Sequence, residues 1–216
     1  MLVALTGPDG TGKSTVSKVI KEEVLKTGQK LETVDRWDIL NTSNFSQSRF
    51  IRSPLKELKE CVSEMKGPSR FLFILWTIYS VLEDYDPASP TITFIDSYWM
   101  KHAASEIAYG LPESFVENSI ELLPKADLTI CLDLSPEIAY QRKSTPTKID
   151  LNAYECGMNS SLSCESFIHH QNKIRNQLQV WSRKHHWRVV DACGSPSNVA
   201  DSVSTIIYEY LHSKQS

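Results

Sequence analysis

Leu2-Val3-Ala4-Leu5-Thr6, running without a break into Gly7-Pro8-Asp9-Gly10-Thr11-Gly12-Lys13-Ser14, decides the fold. The first five residues form a short apolar run with the pattern of a buried strand. The next eight match G-x-x-x-x-G-K-[ST] in full, and Ser14 to Lys26 carries Val16, Val19, Ile20, Val24 and Leu25 at helical spacing. Strand, glycine-rich turn and helix in that order make a phosphate cradle. The glycines permit a tight turn, several backbone N–H groups converge on one point, and the helix N-terminus adds partial positive charge. Lys13 is expected to be an exposed loop cation that reaches the β/γ phosphates of a nucleoside triphosphate. Ser14 is expected to ligate Mg²⁺ through its hydroxyl, with Gly7, Pro8, Asp9, Gly10, Thr11, Gly12 and Thr15 around the donor phosphates. ATP and Mg²⁺ are the expected cofactors.

The rest of the composition is ordinary for one soluble α/β domain over 1–216. The chain has 216 residues, 41% hydrophobic and 23% charged, with a net charge of −3. Such a balance favours neither a nucleic-acid polymer nor an anionic membrane as partner. The N-terminal apolar run is too short for a signal peptide and leads straight into the loop, so the cytoplasm is expected. The five cysteines are irregularly spaced, with no C-x-x-C, and read as reduced thiols. His169-His170 and His185-His186 lie on or beside a long polar helix without metal-ligand spacing.

Further along, strands are predicted at Leu31 to Asp35, Thr91 to Ile95, Leu128 to Leu134 and Trp187 to Val190. Helices are predicted at Pro54 to Met65, Phe71 to Leu82, Met100 to Tyr109, Glu113 to Leu123, Pro136 to Lys143, Cys164 to Lys184 and from Pro196 onward. Gly28 is expected to cap the first helix. Strands alternating with helices imply a mainly parallel sheet covered on both faces. Residues 144 to 163 show no period and are rich in Ser, Thr and Asn, the composition of a long functional segment. Asp96 ends an apolar strand beside the loop, where an acid binds Mg²⁺ directly or through water. A guanine-nucleotide switch would need an Asn/Thr-Lys-x-Asp motif, which is absent. Asp191-Ala192-Cys193-Gly194 fits D-x-x-G but follows the last strand.

Four blocks then resemble the thymidylate kinase family of nucleoside monophosphate kinases: Gly7 to Thr15, Phe94-Ile95-Asp96-Ser97-Tyr98, Ala126 to Glu137 with Arg142, and Trp187 to Ala192. The resemblance implies a three-layer phosphate-loop fold with a five-stranded parallel sheet, a lid at about residues 143 to 163, and a homodimer. It places Asp9 against the acceptor sugar hydroxyl and Mg²⁺-bound water, Arg142 against the adenine, and the Asp191-Ala192-Cys193 backbone around the adenine. Gly10 puts the chain among members that supply the catalytic cation from the lid, here from Arg142, Lys143 and Lys148. The catalytic set is thus Lys13, Asp9, Asp96, Arg142 and Lys143.

On the acceptor side the chain departs from the family. An Asp-Arg pair is expected after the third strand, and here it is Asp96-Ser97. If Phe73 stacks on the acceptor base, the arginine expected four residues later is Thr77. Arg36, Trp37, Arg49, Phe73, Thr77, Ser97, Tyr98 and Lys101 are the candidate acceptor contacts, with Arg52 and Arg70 as further cations. ATP-dependent phosphorylation of a nucleoside monophosphate, dTMP first, leads the functional readings. A kinase for an uncharged deoxynucleoside, with Asp35 or Asp38 as base, and a non-catalytic nucleotide-binding module are the alternatives.

Overall fold

Leu2–Thr6 forms β1, and all five residues are buried because the strand lies in mid-sheet. It pairs in parallel with β3 (Ile92–Asp96) on one side and β4 (Leu128–Asp133) on the other. β2 (Leu31–Val34) pairs with β3 and β7 (Arg188–Asp191) with β4, giving the all-parallel order β2-β3-β1-β4-β7. The computed structural model describes residues 1–26, 29–145, 148–149, 151–158 and 161–215. Gly28, the expected helix cap, lies outside them.

The two faces of the sheet bury separate cores, as alternation along a strand requires. Leu2 and Ala4 point to one face and pack with α2 (Leu55–Glu64), α3 (Pro68–Val81), α4 (Trp99–Ala108), α5 (Glu113–Ile120) and α7 (Cys164–Lys184). Val3 and Leu5 point to the other and pack with α1 (Lys13–Lys26), α6 (Pro136–Lys143) and α8 (Pro196–Gln215). The polar connection after β2 contains two 3₁₀ turns, Arg36–Leu40 and Ser46–Ser48. The first is closed by a reciprocal cap: Asp35 accepts from the Trp37 N–H, and Asp38 from the Asp35 N–H. After α6 the chain forms a small antiparallel pair, β5 (Ser144–Thr145) and β6 (Lys148–Ile149). The helix predicted to reach Leu123 ends at Ile120, where its apolar periodicity gives way to the turn before Pro124.

Parallel strands all present their C-terminal ends at one edge, and the loops there come together. The glycine loop after β1 meets Asp96 at the end of β3 and packs against Leu132 near the end of β4. Gly7 sits at φ +149, and a Cβ there would lie 2.5 Å from the Leu132 carbonyl oxygen. The close approach of loop to β4 therefore requires glycine. Gly7→Ala is expected to lose about 1–3 kcal/mol of stability through overpacking against backbone, read as a lower urea midpoint with an unchanged slope.

Candidate active site

The loop is shaped by its own lysine. Lys13 Nζ donates to the carbonyls of Gly7 and Pro8, each at 2.9 Å, and Thr11 Oγ1 donates to the Pro8 carbonyl at 3.0 Å. Lys13 is thus buried, not the exposed cation expected, because a lysine opening α1 can fold back over the turn that precedes it. Burial lowers its pKa, opposed by Asp9 and Asp96. Ser14 and Thr15 remain exposed at the start of α1.

Ser14 Oγ donates to Asp96 Oδ2 at 2.8 Å, and Ser97 Oγ to Asp96 Oδ1 at 3.1 Å. The two metal candidates, far apart in sequence, therefore stand side by side beneath the loop. A hydroxyl and a carboxylate are the hard oxygen ligands that Mg²⁺ takes alongside phosphate oxygens. Ser97 holds φ 55, a left-handed turn that lets the chain leave β3 and enter α4 directly.

Asp9 faces inward. Its Oδ1 pairs with Lys101 Nζ at 3.0 Å, its backbone N–H donates to Gln171 Oε1 at 2.9 Å, and Gln171 Nε2 reaches its Oδ2 at 3.4 Å. Burial alone would raise the Asp9 pKa, but Lys101 and Lys13 outweigh it and bring it down to about 2. Gln171 also donates to the Glu155 carbonyl at 3.0 Å. The same segment is held by the Lys143–Glu155 ion pair at 2.7 Å and by the Tyr109 hydroxyl on the Tyr154 carbonyl. This part of the expected lid thus lies against the glycine loop. Residues 146–147, 150 and 159–160 and the side chain of Lys148 are outside the described residues.

Arg142 is directed elsewhere. One of its nitrogens donates to the carbonyls of Ala192, Cys193 and Gly194 at 2.8, 3.2 and 3.3 Å. It joins the Asp191-Ala192-Cys193 loop, whose own turn is closed by the Cys193 N–H on Asp191. Arg142 is thus engaged by the backbone of the loop after β7 and not by the glycine loop.

A polar cavity of about 710 Å³ opens beside the loop, lined by Asp9, Ser14, Arg36, Lys101, His102 and Tyr154 among others. Of the acceptor candidates, Arg36, Trp37, Ser97 and Lys101 line it. Four others do not. Tyr98 is fully buried, its hydroxyl on the Pro124 carbonyl. Thr77 is buried with its hydroxyl turned back on the Ile74 carbonyl. Phe73 packs against Trp76, and Ile74 is the α3 residue that reaches the cavity. Arg49 is exposed and bonds the Ser46 carbonyl of its own turn. Arg52 is exposed too, while Arg70 is locked in a buried bidentate pair with Glu106 at 2.6 and 3.0 Å. A larger cavity, about 870 Å³, lies at the opposite end of the sheet near Trp99, Trp181 and Trp187 and includes no loop residue.

No family model matches the chain. Curated relatives do. It is 30% identical over 146 residues to a probable thymidylate kinase of Archaeoglobus fulgidus, covering 66% of this chain and 68% of the relative. The chain belongs to the thymidylate kinase family. A probable thymidylate kinase of Sulfolobus acidocaldarius is 26% identical over 98% of both chains. A thymidylate kinase of Xylella fastidiosa is 25% identical over 98% of this chain and 92% of its own. The family likeness therefore spans nearly the whole length of the chain.

Gln171, His102, Tyr154 and Glu155 escaped the reading of the sequence. His102 alone left a signal, since it falls one position from Lys101 on a helix that starts at the site. His102 and His170 are both buried. Burial, then Arg36 and Lys101, holds His102 well below its usual range, and burial takes His170 down to about 4. Both are neutral in the folded protein and take up a proton on unfolding below pH 6.5. The stability they contribute is present above that pH and is lost as it falls toward 4. His170→Phe keeps the ring stacked on Tyr109 and has nothing to titrate. We expect the drop in thermal midpoint between pH 7 and 4.5 to be smaller in this variant than in wild type; equal drops would refute it.

Proposed function

We propose that this chain transfers the γ-phosphoryl group of ATP to a nucleoside monophosphate, with dTMP as acceptor. The observation that carries the reading is the junction of a complete phosphate loop, through the Ser14–Asp96 contact, with a separate polar cavity that begins at Asp9. Phosphoryl transfer needs two anions aligned and their charge neutralised, more than covalent help from the protein. In this reading the loop amides and Lys13 hold the donor phosphates, Lys13 exchanging its carbonyl partners for phosphate oxygens. Ser14 and Asp96 would hold Mg²⁺, which supplies charge neutralisation between the phosphates when bound. The 191–193 loop and Arg142 receive the adenine. Lys143 adds positive potential at Asp9 from the lid side. Among the described residues no helix is long and apolar enough to cross a membrane, and we place the reaction in the cytoplasm, where its nucleotides are.

The test is ADP release from Mg·ATP across a panel of nucleoside monophosphates and nucleosides. We expect stimulation by dTMP, and Lys13→Ala to lower that turnover by at least about a hundredfold. Acceptor-independent ATP hydrolysis alone would overturn the reading. Stimulation by thymidine in place of dTMP would favour the nucleoside kinase.

We also infer a homodimer formed through the outer face of α3. Leu72 is 50% and Phe50 66% exposed, and Phe50 and Phe73 both contact Trp76, an apolar patch of the kind that marks an interface. Leu72→Asp is expected to shift the sedimenting species from twice the chain mass to the chain mass.

A further inference from the structure

We propose that Arg36 and Lys101 together hold the phosphate of the acceptor, as a two-cation clamp at the mouth of the cavity next to the donor loop. The inference rests on the kinase reading above and names the residues that would make a monophosphate the acceptor.

Unmet hydrogen-bonding groups concentrate here. Arg36 Nη1, both ring nitrogens of His102 and Glu155 Oε2 are buried without a partner, and all three residues line this cavity. The Tyr154 hydroxyl, also on the cavity wall, is engaged with Ser105 of α4. Folded proteins leave few such groups, and a cluster of them marks a place where a polar ligand completes the set.

Charge says which ligand. Among the described residues Arg36 has no carboxylate within ion-pair distance, although a buried unpaired guanidinium is costly. Its guanidinium carbon lies 3.7 Å from the centre of the Trp37 ring, a stack that fixes the plane of the fork before any ligand arrives. Lys101 is buried, and among the described residues Asp9 is the carboxylate it pairs with. His102 follows Lys101 on α4 and lines the same cavity, is kept neutral by burial and by Arg36 and Lys101, and has no partner on either ring nitrogen. Of the other carboxylates lining the cavity, Asp35 caps the Trp37 N–H, Glu155 Oε1 pairs with Lys143, and Glu60 is exposed on α2. Two cations and a neutral donor suit a phosphate monoester dianion better than a single-charge carboxylate.

Position makes the clamp useful. Lys101 lies in the first turn of α4, and helical side chains lean toward the N-terminal end. Its ammonium is thereby carried back over Ser97, which has no charge of its own, to within 3.0 Å of Asp9 in the donor loop. An anion shared with that ammonium sits beside the donor phosphates.

The experiment compares equilibrium binding of dTMP and thymidine, without ATP, to wild type, Arg36→Met, Lys101→Met and Lys101→Arg. Wild type should bind dTMP at least about tenfold more tightly than thymidine. Each Met variant should bring that ratio close to one by weakening dTMP, with thymidine affinity unchanged; Lys101→Arg should keep the ratio. If a Met variant weakens both ligands alike, the residue only supports the fold of the cavity and the clamp is overturned. A wild-type ratio near one overturns the clamp and leaves a nucleoside kinase standing. Binding of neither, with the same result for the tightest monophosphate of the panel, overturns the kinase reading and the clamp together.

Discussion

A buried ammonium has to be answered by negative charge or by carbonyl oxygens, and Lys13 organises the site through that demand. Two carbonyls of its own loop satisfy it, and these bonds hold the loop in its tight curvature. The interaction is self-limiting. Carbonyl dipoles solvate an ammonium less well than a polyphosphate does, so the group remains ready to exchange partners. Preorganisation of this kind spares the reaction the cost of turning dipoles when charge develops.

The same demand recurs one layer out. Lys101 is buried against Asp9, and Asp9 is held from behind by Gln171, which is itself fully buried. Gln171 binds the loop with one end of its amide and the Glu155 carbonyl with its nitrogen. A single side chain on α7 therefore ties the donor loop to the segment over the acceptor cavity. Displacement of either partner costs the other a buried hydrogen bond, which couples the two halves of the site mechanically.

What was legible in the sequence follows the range of the interactions involved. The phosphate loop is a local structure: its glycines, its lysine and the strand and helix beside it lie within twenty-five residues, and all fell where the pattern put them except the lysine side chain, which is buried over its own loop. The five strands and their parallel direction were legible for a related reason, because strands alternating with helices imply parallel crossovers; the strand order was not read from the sequence. The acceptor cavity is different. It gathers residues from the end of β2, from α2, α3 and α4 and from the segment after β6, so no window of sequence contains it. Within a helix, an error of one position turns a side chain by about 100°. That separates Phe73, which packs outward on Trp76, from Ile74, which reaches the cavity. Gln171 is 162 positions from Asp9, and nothing local could announce it.

Position 10 shows how packing distributes the charge of the whole site. Gly10 holds φ +83, and a Cβ there would lie 2.9 Å from the Ala139 Cβ and 3.1 Å from its carbonyl oxygen. The close packing of α6 on the loop thus leaves no room for a cationic side chain at position 10. Positive charge must come from elements that fold over the loop from outside. Arg142 starts from the right helix but its guanidinium is taken by the 192–194 carbonyls, and Lys143 shares itself with Glu155. α4 supplies what is left, because its first turn points at the loop and a lysine there is long enough to arrive. The cations around this loop are therefore set less by any single motif than by which neighbouring helices can reach over it.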